Sequence, residues 1–404
     1  MLHRFRSLGA LSLVSVVVAL SGCAPEDSDT GPGTTTTQAG PCEAMRETCF
    51  SKQMVCVEAS AGPVCEACGA GKYASAQGAC EAIPGTGMTH TFEDFTTPAG
   101  GEVKGLCQSW TLNNAEELWV NAVELTQNAS SHHSNWTFVP DDKFEGPDGV
   151  WPCKERGYSQ LEAALYGGVV YAQSTQASHE VQKFPNGAAV RISPYARIIG
   201  DVHLLNTTSE DITGHSELTL YVLPVEEVEI KLAPFHLSYE GLNIPPHSDS
   251  RFTGKAALDG KFSALGLPFE MDIYFVLPHY HALGKSFFLD MMGGEHDGER
   301  VFEVGAFDAE AHGKAYDPPI SVKDAEGFSF GCDFTNPRDE YIKYGLGDQE
   351  MCEMLGFADS KAAFESIVHE ANPDGTDGSV QLFTGDATTL AFKWTNDQAS
   401  GKGP

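Results

Sequence analysis

Apolar and polar residues alternate along much of the chain beyond residue 88. In Phe269-Glu270-Met271-Asp272-Ile273-Tyr274-Phe275-Val276-Leu277, Met271, Ile273, Phe275 and Leu277 fall at every second position. That is the pattern of a strand with one buried face. Val228-Glu229-Ile230-Lys231-Leu232 alternates in the same way, as do Leu218, Leu220 and Val222 against Thr219 and Tyr221. Leu390-Ala391-Phe392-Lys393-Trp394 repeats the pattern near the C-terminus. Turn clusters separate such segments, among them Met292-Gly293-Gly294 with Asp297-Gly298, and Asp374-Gly375-Thr376-Asp377-Gly378. The last lacks the Glu that ends a calcium loop and reads as a plain turn. One helix is predicted, with Ser360 as N-cap and Phe364, Ile367 and Val368 on one face. Many short strands with few helices predict an all-β fold of β-sandwiches. Gly241-Leu242-Asn243-Ile244-Pro245-Pro246 is the expected joint between two of them.

Composition changes this picture at the N-terminus. The chain has 404 residues, 41% hydrophobic, with 56 acidic against 25 basic side chains. A net charge of −31 opposes binding to nucleic acid or anionic lipid. His3-Arg4-Phe5-Arg6 is basic, and Leu8 to Leu20 is apolar but too short to span a bilayer. Leu20-Ser21-Gly22-Cys23 resembles a bacterial lipoprotein signal. The resemblance implies removal of residues 1–22, acylation of Cys23 and a lipid anchor in the cell envelope. Ala24 after the Cys favours the outer membrane in that family. Residues 23–40 are rich in Asp, Pro, Gly and Thr and read as a flexible tether.

Residues 41–88 carry six cysteines, Cys42, Cys49, Cys56, Cys65, Cys68 and Cys80, with little apolar content. Three disulfides in an oxidising compartment would hold such a module together. Cys65-Glu66-Ala67-Cys68 also raises a zinc knuckle, but no second CxxC matches it. From Cys65 to Cys80 the module resembles epidermal-growth-factor-like and receptor repeats, implying a spacer or interaction role.

Of 14 histidines, five stand in contexts with metal chemistry. His279-Tyr280-His281 follows the strand ending at Leu277. If the extended geometry continues, both rings leave one face, ~7 Å apart at Cα. Exposed residues at a strand end are the alternative. His132 and His133 are adjacent, so on an ideal strand they point to opposite faces. They share a metal only if the backbone bulges or turns there, or if the rings use different nitrogens. The alternative is a pair of polar loop residues. His203 interrupts the apolar strand Ile198-Ile199-Gly200-Asp201-Val202, where a hydrogen-bonded core histidine is the other reading. His90, His179, His215, His236, His247, His296, His312 and His369 read as structural or solvated.

Further on come Cys332 and then Glu350-Met351-Cys352. A His-His pair, a later strand His, a His-x-His before Leu283-Gly284, a Cys and a Glu-Met-Cys, in this order, resemble the copper type II, ascorbate-dependent monooxygenases. Peptidylglycine α-hydroxylating monooxygenase and dopamine β-monooxygenase belong to that family. The resemblance covers about residues 90–398. It implies two jelly-roll-like sandwiches, residues 89–235 and 236–398, facing one another across a cleft. It also implies two copper ions per chain. His132, His133 and His203 match the electron-transfer site, and His279, His281 and Met351 the oxygen-activating site. Imidazole suits both copper oxidation states and a thioether favours the reduced one. In the family, cysteines placed like Cys107 and Cys153, and like Cys332 and Cys352, form disulfides. The implied activity is hydroxylation of a C–H bond in a small or peptide-like substrate, using dioxygen and a reductant such as ascorbate. The implied contact with a membrane is through the lipid anchor alone.

The substrate does not carry over. Peptide-amidating members hold a substrate carboxylate with an Arg, a Tyr and an Asn, at positions that are here Leu277, Leu355 and Glu353. A buried carboxylate needs a cationic or multi-donor partner, so peptide amidation is not expected. Tyr280 within His-x-His, and Ser134 where Met often follows the pair, also depart from the family. A copper-binding lipoprotein without hydroxylase activity, and a structural or adhesive β-sandwich protein suggested by the cysteine module and tether, are the competing readings.

Overall fold

The computed structural model describes residues 40–173, 177–305, 313–345 and 348–394. The lipoprotein signal, Cys23, most of the tether and His312 lie outside them. Strands dominate, and the architecture is all-β. Among the described residues no helix is long and apolar enough to cross a membrane.

Two sandwiches share one long sheet. Part of this 11-stranded sheet (Thr86–Thr91, Glu217–Leu223, Leu118–Thr126 and Ala188–Ile192) packs against a 5-stranded sheet. The 5-stranded sheet contains Glu102–Thr111, Ala196–Leu205 and Ser131–Pro140. Val120, Val123, Leu218 and Leu220 meet Trp136, Phe138, Ile198 and Val202 between the layers. The rest of the long sheet (Ile230–Tyr239, Glu353–Asp359, Met271–His279 and Lys314–Val322) packs on a 6-stranded sheet around Gly327–Asn336. Phe235, Leu237, Ile273 and Met354 meet Phe252, Phe287, Leu289 and Phe330 there. The alternation in Met271–Leu277 therefore serves two cores. Met271 and Ile273 enter the second, and after a register shift between Ile273 and Phe275, Phe275 and Leu277 enter the first.

The long sheet is continuous where Ala188 and Ala189 pair in parallel with Ile230 and Lys231. The joint expected at Gly241–Pro246 lies instead inside the second half, where Leu242 and Ile244 are core residues. The interface between halves is apolar. Phe184 meets Phe357 at 5.0 Å and Phe275 at 5.7 Å between ring centroids. Burying each aromatic ring contributes ~1.5–3 kcal/mol, which favours packed halves over an open gap at this point.

The helix expected after Ser360 is a strand, Ala362–Val368. It pairs in parallel with Ile230–Tyr239 and antiparallel with Thr388–Lys393. Phe364 stacks on Phe235 at 5.5 Å. The Ser360 hydroxyl accepts from the Ala362 N–H and bonds its carbonyl, so it shapes a turn rather than capping a helix. Sheet partners on both sides outweigh a local helical period. Asp374–Thr376 is an irregularity within the strand Asn372–Asp377, not a turn; the turn falls at Gly378 and Ser379.

The small module holds three disulfides, Cys42–Cys56, Cys49–Cys65 and Cys68–Cys80. Cys65 and Cys68 are thus committed to disulfides, against a zinc knuckle. The module is docked on the first half. The Glu124 carboxylate accepts from Gly71 N at 3.0 Å, His179 Nε2 at 2.7 Å and Tyr221 Oη at 2.6 Å. Ile83 of the module packs with Ala122, Val181 and Tyr221.

Candidate metal centre

Five histidines converge from three segments of the chain. His132, His133 and His203 form one group whose ligand nitrogens lie within 4.8 Å of one another, and His133, His279 and His281 form a second. His133 belongs to both.

A bulge builds the first group. His203 pairs with His133 across the ladder, while the next residue, Leu204, pairs with Ser131. His132 is the extra residue, and the pleat is broken there, so the two rings lie on one side. Their centroids are 5.1 Å apart, and each lies 5.0 Å or less from His203. Of the ways in which adjacent histidines can share a metal, the bulge is the one present. Ser134 is buried and accepts a hydrogen bond from Trp136 Nε1 at 2.9 Å, so this departure supports the neighbouring core ring.

His203 is held from outside. Its Nε2 donates to the Glu102 carboxylate at 2.7 Å. A carboxylate only accepts, so the Nδ1 lone pair faces inward, 2.9 Å from His133 Nε2. This carboxylate–imidazole pair is the outer arrangement that fixes the tautomer of metal-ligating histidines. His132 Nδ1 is buried without a hydrogen-bond partner.

The second group sits at a strand end. His279 is the last residue of Met271–His279, and the chain turns at Ala282 and Leu283. Tyr280 points the opposite way into the second core, which explains its place between two candidate ligands. A Cβ at Gly284 would meet the Tyr280 ring at 2.2 Å, so glycine is required there. His279 and His281 rings are 5.2 Å apart. His281 Nδ1 donates to the Gln349 carbonyl at 2.8 Å, leaving its Nε2 as a buried, unpartnered lone pair.

Glu350, which the sequence marks only as part of Glu-Met-Cys, organises this turn. It is 1% exposed. Its carboxylate accepts from His281 N at 2.9 Å and Leu283 N at 2.7 Å. Burial pushes its pKa up to about 7, against the lowering effect of backbone N–H groups at Leu283, His281 and Met351. Met351 is buried beside it, 9% exposed, and Cys352 bonds Cys332. Cys107 likewise bonds Cys153.

The rings are held neutral. Burial, then the neighbouring histidines, lowers His132 to about 4 and His279 to about 3. His133, His203 and His281 are lowered chiefly by burial as well. Neutral imidazoles, with the tautomers of His203 and His281 fixed by Glu102 and the Gln349 carbonyl, fit a soft-to-borderline cation such as copper, and zinc or nickel by the same chemistry.

The rings do not face one another across a cleft at this point. His133 lies 5.1 Å from His279 and 6.5 Å from His281. Leu277 and Leu355 are register partners packed on the first core, so a carboxylate finds no cation there. Glu353 instead bonds the Tyr344 hydroxyl, and Ser238 Oγ lies 3.4 Å from it. Most of the remaining histidines pair with carboxylates: His179 with Glu124, His215 with Asp94, His236 with Glu365, His247 with Asp339, His296 with Glu299 and His369 with Glu240. His90 stacks on Trp110.

No protein-family model and no curated protein matches the chain. Among solved structures, the naturally occurring empty particles of cowpea mosaic virus are similar over 67% of this chain and 89% of that one. Identity is 12% and the TM-score 0.28. The major capsid protein P2 of bacteriophage PM2 is similar over 68% and 97%, at 8% identity and a TM-score of 0.26. Likeness at this level carries no functional argument.

Proposed function

We propose that this protein is a copper-dependent oxidoreductase that hydroxylates a C–H bond of a small or peptide-like substrate, with dioxygen and a one-electron reductant such as ascorbate. It acts from a lipid anchor at Cys23 in a bacterial envelope. The observation that carries the reading is the pair of three-histidine groups, His132, His133 and His203 and His133, His279 and His281, that share His133. Met351, buried and next to Glu350 in the chain, is the thioether candidate.

Copper, when bound, would supply one-electron redox chemistry and dioxygen activation. The chain's own part is definite. Glu102 and the Gln349 carbonyl orient two imidazoles, and burial favours the neutral form of all five.

A non-catalytic copper holder is the second reading, favoured by the contact between the two groups through His133. Oxygen uptake separates the two. The proposal expects the copper-loaded protein to consume oxygen with ascorbate, coupled to loss of a C–H substrate in a substrate screen. Retained copper with ascorbate oxidation but no coupled product in any substrate class would leave only the holder.

A further inference from the structure

We propose that His133 of the first half completes a metal site with His279 and His281 of the second, so that one ion bridges the two halves. The inference rests on the copper reading above and departs from two independent sites. The ligand nitrogens of these three residues lie within 4.8 Å of one another. Nitrogens bound at ~2.0–2.1 Å to a common ion stand ~3–4 Å apart, so closure needs only small ring movements.

A neutral imidazole offers one lone pair. His133 therefore serves one ion at a time, although it belongs to two groups. The second group has a prepared partner for it, because the Gln349 carbonyl fixes His281 with Nε2 free and buried. The strand bearing His133 pairs in its ladders with Ala196–Leu205 and Gly168–Gln173, both in the first half. An ion on His133, His279 and His281 supplies a link to Met271–His279 that those ladders do not. Apolar packing of Phe184 on Phe275 and Phe357 brings the halves to this distance.

The test compares single glutamine variants at His132, His133, His203, His279 and His281. The purified full-length protein is loaded with one equivalent of Cu(II), desalted, and scored for retained copper and for the metal-induced rise in Tm. A bridge requires H133Q to fall in with H279Q and H281Q. All three lose the rise in Tm and bind copper more weakly than the ~10–100-fold that loss of an outer partner costs, while H132Q keeps both. Independent sites require H133Q to fall in with H132Q and H203Q and leave the second-half ion intact, which overturns the bridge alone. A parent that retains no copper overturns the copper reading and the bridge together. Should H133Q fail to fold, paramagnetic resonance of copper-loaded H132Q decides the matter. Three coupled ring nitrogens support the bridge and two overturn it.

Discussion

The first-half histidines sit on strands with ladder partners, and the second-half pair sits where a strand ends in a turn. His132, His133 and His203 take their placement from the pairing of Ser131–Pro140 with Ala196–Leu205 and from one bulge. The exposed side of that group needs only Glu102, itself exposed and shared with Lys104 at 2.9 Å. His281 has no ladder to place it. A buried carboxylate, Glu350, grips its backbone, and the Gln349 carbonyl grips its ring. A ligand on a sheet inherits precision from the backbone, whereas a ligand on a turn needs dedicated polar partners, and those partners are buried where water cannot compete.

The largest effect expected from this contrast is at Glu350. Glu350→Ala strips the acceptor from the N–H groups of His281 and Leu283, each of which costs ~1–3 kcal/mol when buried and unpaired. Denaturant unfolding should show a loss of ~2–5 kcal/mol. Copper spectra should change for the second group and persist for the first. Equal damage at both groups would break the contrast.

A smaller effect follows from acid. His132 and His279 are lowered to about 4 and about 3, against ~6.5 in an unfolded chain. A depressed histidine pKa means that the unfolded chain takes up protons first. Stability of the metal-free protein is therefore full above pH ~6.5 and falls as pH drops toward those values, by about 1 kcal/mol per pH unit for each ring. Urea midpoints between pH 7 and 4 measure this. His132→Gln and His279→Gln should each flatten the profile, and an unchanged profile in both would refute the assignment.

The smallest effect is at Glu102. Glu102→Gln keeps an acceptor for His203 but removes the charge, and should weaken copper at the first group by ~10-fold. Folding stability should change by less than ~1 kcal/mol, since the pair is partly solvated. Isothermal titration beside the Glu350 variant orders the two. A Glu102 effect as large as that of Glu350 would show that the ladder alone does not place His203.

Much of the strand content was legible, because a period of two is written locally. The strands Glu217–Leu223 and Met271–His279 follow it, and Thr388–Lys393 is a strand although its Leu390 faces solvent. The segment after Ser360 was misread because Phe364, Ile367 and Val368 fit a helical face, while the strands that claim Ala362–Val368 lie more than a hundred residues upstream and twenty downstream. At the metal centre, the five histidines were legible from type and spacing, and the adjacency of His132 and His133 left a bulge as one of several ways to share a metal. Glu350 was not, since nothing local says that a Glu before Met351 will bury its carboxylate against a turn seventy residues earlier.

The sequence by itself determined the all-β character, the six-cysteine module and which side chains can ligate a metal, because periodicity and side-chain chemistry are local properties. Only the tertiary structure decided that one long sheet joins both halves, that Glu124 docks the module, and that His133 stands among the histidines of both halves. Those outcomes depend on which distant strands pair and which apolar faces meet, and burial of Phe184 on Phe275 and Phe357 sets the distance at which the two sets of imidazoles come together.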